Sequence, residues 1–399
     1  MALIQASPPG AIQRLLEPIG RNVRQARLDR HEIAGSLGDL GTFLPLLVGM
    51  TAQNGLDFAT ALFFAGFFNA VTGLTFSIPM AVQPMKAIAA VALTQGLTVP
   101  QIVAAGASVS LCILLLGLSG LVDWVNRLIP KSVVRGLQLG LGLSLLIRAF
   151  EMARDAPGFF DYDSQATALL AGLLTLALLS STRLPAALVL LVMGLLLAGL
   201  THPQALAELS WTVWYPTWQP PGWQDFVQAF FPATLPQLPL TLLNSVIAVC
   251  ALSVDLFPER AASPRKVAVS VGLMNLVGCW FGAMPMCHGA GGLAGQYRFG
   301  ARTNGSILFL GTVKMLLAVF LGVSLLALCR VFPRSILAVM LGVAGLELAL
   351  VTRDQTRRSD AFVMLVVASA ALGLRHVGVA FLLGLAIAWL ARLCKWEAL

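Results

Sequence analysis

Lys86 is the residue whose type and surroundings point most directly to chemistry. It is the only Lys before Lys131, and it lies in the otherwise apolar stretch 77–90, two residues after Pro84. Good helix formers follow Pro84, so this proline predicts the first turn of a helix that begins deep inside a hydrophobic region. The first amides of such a helix lack partners, and the helix dipole is positive at that end. With the charge of Lys86 beside them, these amides predict a site for an anion.

A second copy of this arrangement occurs in residues 275–292, where Pro and Gly again interrupt an apolar run. Four residue pairs share a separation of 206 positions: Asp39 and Ser245, Asn69 and Asn275, Pro79 and Pro285, and Met80 and Met286. Interrupted apolar segments at matching places in two halves of a chain are typical of the binding site of a transporter. The repeat therefore predicts two half-helices that meet at the membrane midplane.

The composition indicates the class of protein to which these residues belong. Hydrophobic residues make up 58% of the 399 residues and charged residues only 11%, whereas about a quarter of the residues in a soluble domain are charged. At about 20 residues per span, the apolar runs predict an all-α polytopic membrane protein. Its 14 transmembrane segments, half-helices included, form two inverted repeats of seven.

The charges and cysteines exclude several partners and cofactors. The net charge of +8 is carried by short loops between apolar runs, which is typical of cytoplasmic loops and not of a nucleic-acid groove. The six Cys are scattered without a CxxC motif, so the sequence indicates no metal site, no disulfide framework and no cofactor. The lipid bilayer is the expected environment.

The chain divides into four parts. Residues 1–34 form a basic cytoplasmic arm, 35–200 the first repeat, 201–235 an external connector rich in Trp and Pro, and 236–393 the second repeat. A mitochondrial presequence is the alternative for the arm, although Glu17 and Asp29 speak against it. We predict that both termini are cytoplasmic, because this orientation places most Lys and Arg residues inside. The exceptions are Arg148, Arg154, Arg330, Arg334, Arg375 and the membrane-embedded Lys86. A bacterial inner membrane is the expected location.

Polar side chains within spans are costly unless they line a cavity or pair with each other. The candidates for substrate binding are Asp39, Thr42, Gln83, Lys86, Asn244, Ser245, His288 and Gly289. A tetrahedral oxyanion suits this set, because Lys86 supplies a full charge while the amides and hydroxyls supply neutral donors. Asp39 and Glu347 are the candidates for coupling transport to protons, and His288 is a third acid–base group near the site.

Structural alternatives remain for several of these residues. Asp39 and Lys86 can neutralise each other as a buried pair, and Glu347 can be a packing partner on its helix. Asn69 and Asn275 can bond neighbouring backbone, and the glycines after His288 can serve helix packing. A catalytic pair of Cys287 and His288 is excluded, because adjacent helical residues project about 100° apart.

Four sequence blocks resemble the signature of the molybdate transporter family, a distant branch of the sulfate permease superfamily. The blocks are Gly38-Asp39-Leu40-Gly41-Thr42, Gln83-Pro84-Met85-Lys86-Ala87-Ile88, Leu238-Pro239-Leu240-Thr241 with Leu243-Asn244-Ser245-Val246, and Cys287-His288-Gly289-Ala290-Gly291-Gly292-Leu293-Ala294-Gly295-Gln296. The resemblance implies molybdate uptake by a core domain (spans 1–4 and 8–11) that moves like an elevator against a gate domain (spans 5–7 and 12–14). It also implies substrate between the half-helices, a homodimer through the gate, and no cytoplasmic regulatory domain after the last span.

The alternatives to molybdate import are transport of another oxyanion, an ion channel and a membrane-embedded enzyme. The same fold can carry sulfate, tungstate or oxyanions in general, since the sequence does not show the size of the cavity. An ion channel would need a continuous polar lining, whereas the polar residues here concentrate at one depth. A membrane-embedded enzyme would need a nucleophile, a base or a metal cluster, and none has suitable spacing.

Overall fold

The computed structural model describes residues 11–178, 181, 184–207 and 213–394. Residues 1–10 of the predicted arm and residues 208–212 of the predicted connector lie outside this range. The helices of the first half are α1 (Ala11–Gln25), α2 (Arg30–Ser36), α3 (Leu40–Asn54), α4 (Phe58–Thr75), α5 (Lys86–Gln95), α6 (Val99–Ser119), α7 (Val122–Leu128), α8 (Lys131–Arg154), α9 (Gln165–Leu178), α10 (Ala186–Thr201) and α11 (Pro203–Ala207). A short strand, β1 (Gln83–Pro84), precedes α5.

The second half repeats this order. Its helices are α12 (Trp223–Ala229), α13 (Leu235–Leu240), α14 (Val249–Leu256), α15 (Pro264–Gly278), α16 (Ala290–Arg298), α17 (Gly305–Arg330), α18 (Arg334–Leu350), α19 (Arg358–Gly373) and α20 (Val377–Leu393). The strand β2 (Met286–Cys287) precedes α16, as β1 precedes α5. Two π-helical stretches, Phe230–Thr234 and Thr241–Ala248, join α12, α13 and α14 into one helical run.

Helix packing confirms the predicted inverted repeat. Helix α4 packs against α17 and the corresponding pair α6 and α15 also pack together, while α8 and α18 pack against each other. This exchange of equivalent partners between halves is what an inverted repeat requires. Glycines permit close packing of α4 on α17 and of α8 on α18. A Cβ on Gly66 would lie 2.6 Å from Gly311 O, and one on Gly142 would lie 2.6 Å from Gly345 O. Small residues at a helix crossing let the two backbones approach closely.

The spans agree with the sequence prediction except at the start of the eighth. Within the described residues, seven helical runs are long and apolar enough to cross a membrane, and the other segments, half-helices included, are shorter. The helical run that contains the eighth span begins at Trp223, so residues 223–235 of the predicted connector belong to this helical run. The preceding residues 213–222 have no regular secondary structure. Trp214 N donates to Val319 O over 2.9 Å, and the Trp214 ring packs against Phe63 of the first half.

The two interrupted segments meet as a pair of antiparallel strands. Gln83 of β1 lies opposite Cys287 of β2, and Met85 N donates to Pro285 O over 2.8 Å. This pairing satisfies backbone groups that would otherwise be unpaired in an apolar environment. It confirms that α5 and α16 are half-helices that begin next to each other in the interior of the protein.

Candidate functional site

Lys86 is the first residue of α5 and lies next to Gly291 of α16. Its side chain is half-buried, and Nζ makes no hydrogen bond or ion pair with any of the described residues. A Cβ built on Gly291 would have only this Nζ atom within 4 Å, at 4.0 Å. The titratable groups near the ammonium are Cys287, Glu347 and Asp39. A free cation therefore lies opposite the first turn of α16.

The N-terminus of α16 supplies amide donors near this cation. The first hydrogen bond of this helix runs from Leu293 N to Gly289 O over 3.1 Å. The amides of Ala290, Gly291 and Gly292 lie before it, so they have no acceptor within the helix, and no hydrogen bond joins them to the rest of the described chain. Free amides at the positive end of a helix dipole favour an anion.

The N-terminus of α5 differs, and the structure corrects the expectation that both half-helices offer free amides. Gln237 Oε1 accepts from Ala87 N over 2.9 Å and from Ile88 N over 3.2 Å. Gln237 Nε2 donates to Thr241 Oγ1 over 2.9 Å, which fixes the orientation of the amide. In the sequence, Gln237 is a polar residue within an apolar stretch, and this does not identify its partner. The contact between Gln237 and the α5 amides depends on how the eighth span crosses α5. The residues next to Gln237 in the sequence do not predict this crossing.

Asp39 pairs with a residue that sequence reasoning missed. Its Oδ2 lies 3.8 Å from Nζ of Lys314, and both side chains are almost completely buried. Lys314 lies within α17 with Nζ 3.7 Å from the centre of the Phe43 ring. The assignment of Lys314 to the cytoplasmic side is therefore wrong, as is the alternative in which Lys86 is the ion-pair partner of Asp39. The available signal was a single Lys within the apolar helix Gly305–Arg330.

Gln83 and the glycines after His288 fit against each other. A Cβ on Gly289 would collide with Gln83 Oε1, and one on Gly292 would lie 2.7 Å from Gln83 Cδ. These glycines therefore accommodate the Gln83 side chain, whereas Gly291 borders the space in front of Lys86. Gln83 Oε1 is buried without a hydrogen-bond partner. Gln83 is also one of the polar neighbours of Asp39.

Ser245 and His288 lie near the paired strands. Ser245 is buried beside the Cys287 thiol. Both ring nitrogens of His288 are engaged, Nδ1 with Ala81 O at 3.0 Å and Nε2 with Ser270 Oγ at 2.9 Å. With these contacts, His288 connects the strand region to α15 through its own side chain.

Asn244 lies in a different network from Lys86. Its Oδ1 accepts from Nη1 of Arg135 over 3.4 Å, and Arg135 forms a two-pronged ion pair with Asp354, at 3.0 and 2.7 Å. Arg135 also donates to Gln138 Oε1 over 2.8 Å. The network therefore links α8 to the eighth span and to the end of α18.

Thr42 and Glu347 are more accessible than the groups around Asp39. Thr42 is half-buried in the first turn of α3, and Glu347 is exposed on α18. Glu347 is nevertheless one of the acidic neighbours of Lys86. Unlike Asp39, Glu347 forms no ion pair with any of the described residues.

The two halves also differ in the Asn residues that stand 206 positions apart. Asn275 holds β2, because its Nδ2 donates to Met286 O over 2.7 Å and its Oδ1 accepts from Met286 N over 2.6 Å. Asn69 is fully buried, and neither of its amide atoms has a hydrogen-bond partner in the described part of the chain. Met80, which stands 206 positions before Met286, precedes β1, and its N donates to Ile78 O over 2.7 Å.

Comparison with known proteins identifies relatives over most of the chain. The family described as "Molybdate transporter of MFS superfamily" matches residues 31–145 and 229–348. Molybdate transporter 1 of Arabidopsis thaliana is 40% identical over 86% of this chain and 84% of its own length. Molybdate transporter 2 of the same plant is 41% identical, with shares of 86% and 82%. Molybdate transporter 1 of Chlamydomonas reinhardtii is 34% identical, with shares of 90% and 91%.

Solved structures share the fold at low sequence identity. The murine Solute Carrier 26 family member A9 anion transporter, in the inward-facing state, matches 99% of this chain and 74% of its own chain with a TM-score of 0.71 and 13% identity. The transmembrane domain of the cyanobacterium bicarbonate transporter BicA matches 92% of this chain and 97% of its own with a TM-score of 0.60 and 15% identity. These similarities support the architecture of two inverted seven-segment repeats.

Proposed function

The chain belongs to the molybdate transporter family, and from this premise we propose that it imports molybdate across the membrane as a secondary transporter. The observation that carries the proposal is the proximity of an ammonium to helix amides, neither of which has a hydrogen-bond partner among the described residues. Lys86 Nζ faces Gly291, and the amides of residues 290–292 have no acceptor in the described chain. A tetrahedral dianion can accept from several of these donors at once.

Within this proposal, the candidate residues have different roles. Lys86 and the start of α16, with Gly289 as its N-cap, bind the oxyanion, and Thr42, Gln83 and Ser245 border the site. Asn244 acts at a distance, through Arg135. His288 supports the strands, and Asp39 and Glu347 are the groups for proton coupling.

The transport movement is an elevator-type displacement of a core against a gate. Helix pairs α4–α17 and α6–α15 lie within the proposed core (spans 1–4 and 8–11), and α8–α18 lies within the proposed gate (spans 5–7 and 12–14). Arg135 on α8 and Asn244 on the eighth span would then be a contact between core and gate that must change during transport. A homodimer through the gate would hold that domain still.

The orientation and the membrane are also proposals. We place both termini in the cytoplasm, because basic residues cluster in the loops that this orientation puts inside. A bacterial inner membrane is the proposed location; the relatives compared above come from a plant and an alga and do not specify it.

The function is tested by uptake into proteoliposomes that contain the purified protein. We expect accumulation of molybdate at low supply, strong competition by tungstate and weak competition by sulfate. If an equal concentration of sulfate abolishes molybdate entry, the protein is a general oxyanion carrier. If molybdate neither binds nor enters, the proposed function is wrong.

A further inference from the structure

Asp39 and Lys314 form a buried ion pair that the anion site does not use. Asp39 is 0% exposed and Lys314 is 3% exposed, and their charged atoms lie 3.8 Å apart. Among the described residues, neither carboxylate oxygen of Asp39 and no proton of Lys314 Nζ has a hydrogen-bond partner. Buried ion pairs normally require additional hydrogen bonds to offset the loss of hydration. This pair is therefore poorly stabilised in its charged form.

The crossing of α4 and α17 beside the ion pair contains a further buried polar group without a hydrogen-bond partner in the described chain. On α4, Gly66 lies against the Cβ of Lys314, with 2.9 Å to a Cβ built on the glycine. One turn further along the same face, Asn69 lies against Gly311 and has no partner for either amide atom. Unsatisfied buried polar groups in a native structure call for a functional explanation.

The other charged or titratable groups of the surrounding elements are few. Those that act on Asp39 besides Lys314 are Lys86 on α5 and Cys287 on β2. Helices α3, α4 and α10 contain no charged residue. On α2, Arg30 and His31 are exposed, and Glu32 accepts from the backbone amides of residues 302 and 303. Glu347 of α18 acts on Lys86, and Tyr297 and Arg298 lie at the far end of α16.

We propose that Asp39 and Lys314 form a proton-binding site that couples the entry of one proton to each molybdate, an inference that rests on the proposed function. In the empty protein, Asp39 is ionised and paired with Lys314, so the three buried groups Asp39, Lys314 and Lys86 together carry one net positive charge. A dianion bound at Lys86 would reverse that net charge. A proton on Asp39 makes the loaded core neutral, which lowers the cost of moving it through a low-dielectric environment.

The step is a proton transfer without any change in oxidation state. A proton from the external solution binds a carboxylate oxygen of Asp39, and the ion pair becomes a neutral acid beside an ammonium that keeps its own protons. After molybdate leaves toward the cytoplasm, Asp39 releases the proton on that side and the ion pair forms again. Each cycle therefore carries two negative charges and one positive charge inward.

This stoichiometry is measurable in proteoliposomes with the membrane potential clamped at zero. A pH gradient of one unit, acidic outside, supports about tenfold accumulation of molybdate for one proton and about hundredfold for two, since tenfold corresponds to about 1.4 kcal/mol. We expect about tenfold, with alkalinisation of the external solution during uptake and faster uptake when the interior is positive.

Variants of the pair separate proton coupling from substrate binding. We test D39N, K314M and the double variant that removes both charges. In each, the internal molybdate concentration should only reach the external one, about a onefold ratio. Exchange of internal for external molybdate should continue at a reduced rate. The double variant buries no unpaired charge and serves where a single variant fails to fold. T312V on the exposed face of α17 is the control and should retain tenfold accumulation.

Several results would overturn the proposal. These are tenfold proton-driven accumulation in the double variant, uptake by the parent protein without proton movement, or accumulation that follows a sodium gradient at constant pH. In each case molybdate binding by the parent protein would still support the proposed function. Failure of the parent protein to bind molybdate would instead remove both.

Discussion

The two half-helices have the same place in their repeats but present different chemistry at their N-termini. Helix α5 carries the cation Lys86, and its next two amides are occupied by Gln237 Oε1. Helix α16 carries no cation in its first turn, and the amides of residues 290–292 remain free. One half therefore supplies charge and the other supplies directed donors. An inverted repeat can thus form one asymmetric anion site in place of two equivalent ones.

The two halves also differ in how an Asn side chain supports the strand region before each half-helix. Asn275 fixes β2 through two hydrogen bonds to Met286, whereas Asn69 makes none and lies beside the polar crossing that holds Lys314. The second half is thus rigidly supported where it presents amides. The first half retains unsatisfied polar groups where we place the proton. This difference between the halves is open to three tests.

The largest effect is expected from K86M, which removes the charge from α5 at a similar volume. Molybdate binding should weaken by about 2–4 kcal/mol, the range for losing one partner of a buried charged interaction. K86R should lose less, because it keeps the charge but replaces a compact ammonium with a planar fork. The measurement is isothermal titration of the purified protein. T94V, at the opposite end of α5, is the matched control and should bind normally.

If K86M binds molybdate like the parent protein, the site depends on the backbone amides alone. The charge of α5 would then be irrelevant to the anion. The comparison between the two helix ends would have to be abandoned in that case.

An intermediate effect is expected from G291A, which tests the amides of α16. The added Cβ would enter the space in front of Lys86, 4.0 Å from Nζ, and steric crowding of this kind costs about 1–3 kcal/mol. Because Ala favours a helix over Gly by about 1 kcal/mol, the free protein should be more stable while molybdate binds more weakly. Thermal unfolding and titration together resolve the two effects.

The control for this change is G172A on α9, where an added Cβ meets no atom within 4 Å. It should gain stability without a change in affinity. Normal affinity in G291A would mean that the substrate does not approach this turn of α16.

The smallest effect is expected from Q237A, which removes the acceptor that occupies the start of α5. Loss of a capping side chain costs about 0.5–2 kcal/mol of stability, so the thermal unfolding midpoint should fall. Molybdate affinity should change by less than in K86M, because Lys86 and α16 are retained. Q228A in α12, whose side chain pairs with Gln101 at an exposed position, is the control.

A loss of affinity in Q237A as large as that in K86M would contradict this assignment. It would show that Gln237 contacts the substrate. The start of α5 would then belong to the anion site in the same way as the start of α16.

The sequence predicted the components that depend on local order along the chain. The spans follow from apolar runs of sufficient length, and the half-helices follow from Pro84 and Pro285. The blocks around Asp39, Lys86 and His288 resembled the molybdate transporter family, to which the chain belongs. Composition and spacing sufficed for the spans and the half-helices, because each depends on residues close together in the sequence, whereas the family was identified by the resemblance of its blocks.

Tertiary structure decided which polar groups are partners. The contact of Gln237 with the amides of α5, the ion pair of Asp39 with Lys314 and the contact of Arg135 with Asn244 each join residues more than one hundred positions apart. Such pairs depend on which helix faces cross and at what depth, and glycines such as Gly66 and Gly311 determine how closely they approach. The sequence shows that a polar residue lies within the membrane. Which of its possible partners it meets is settled only when the helices pack.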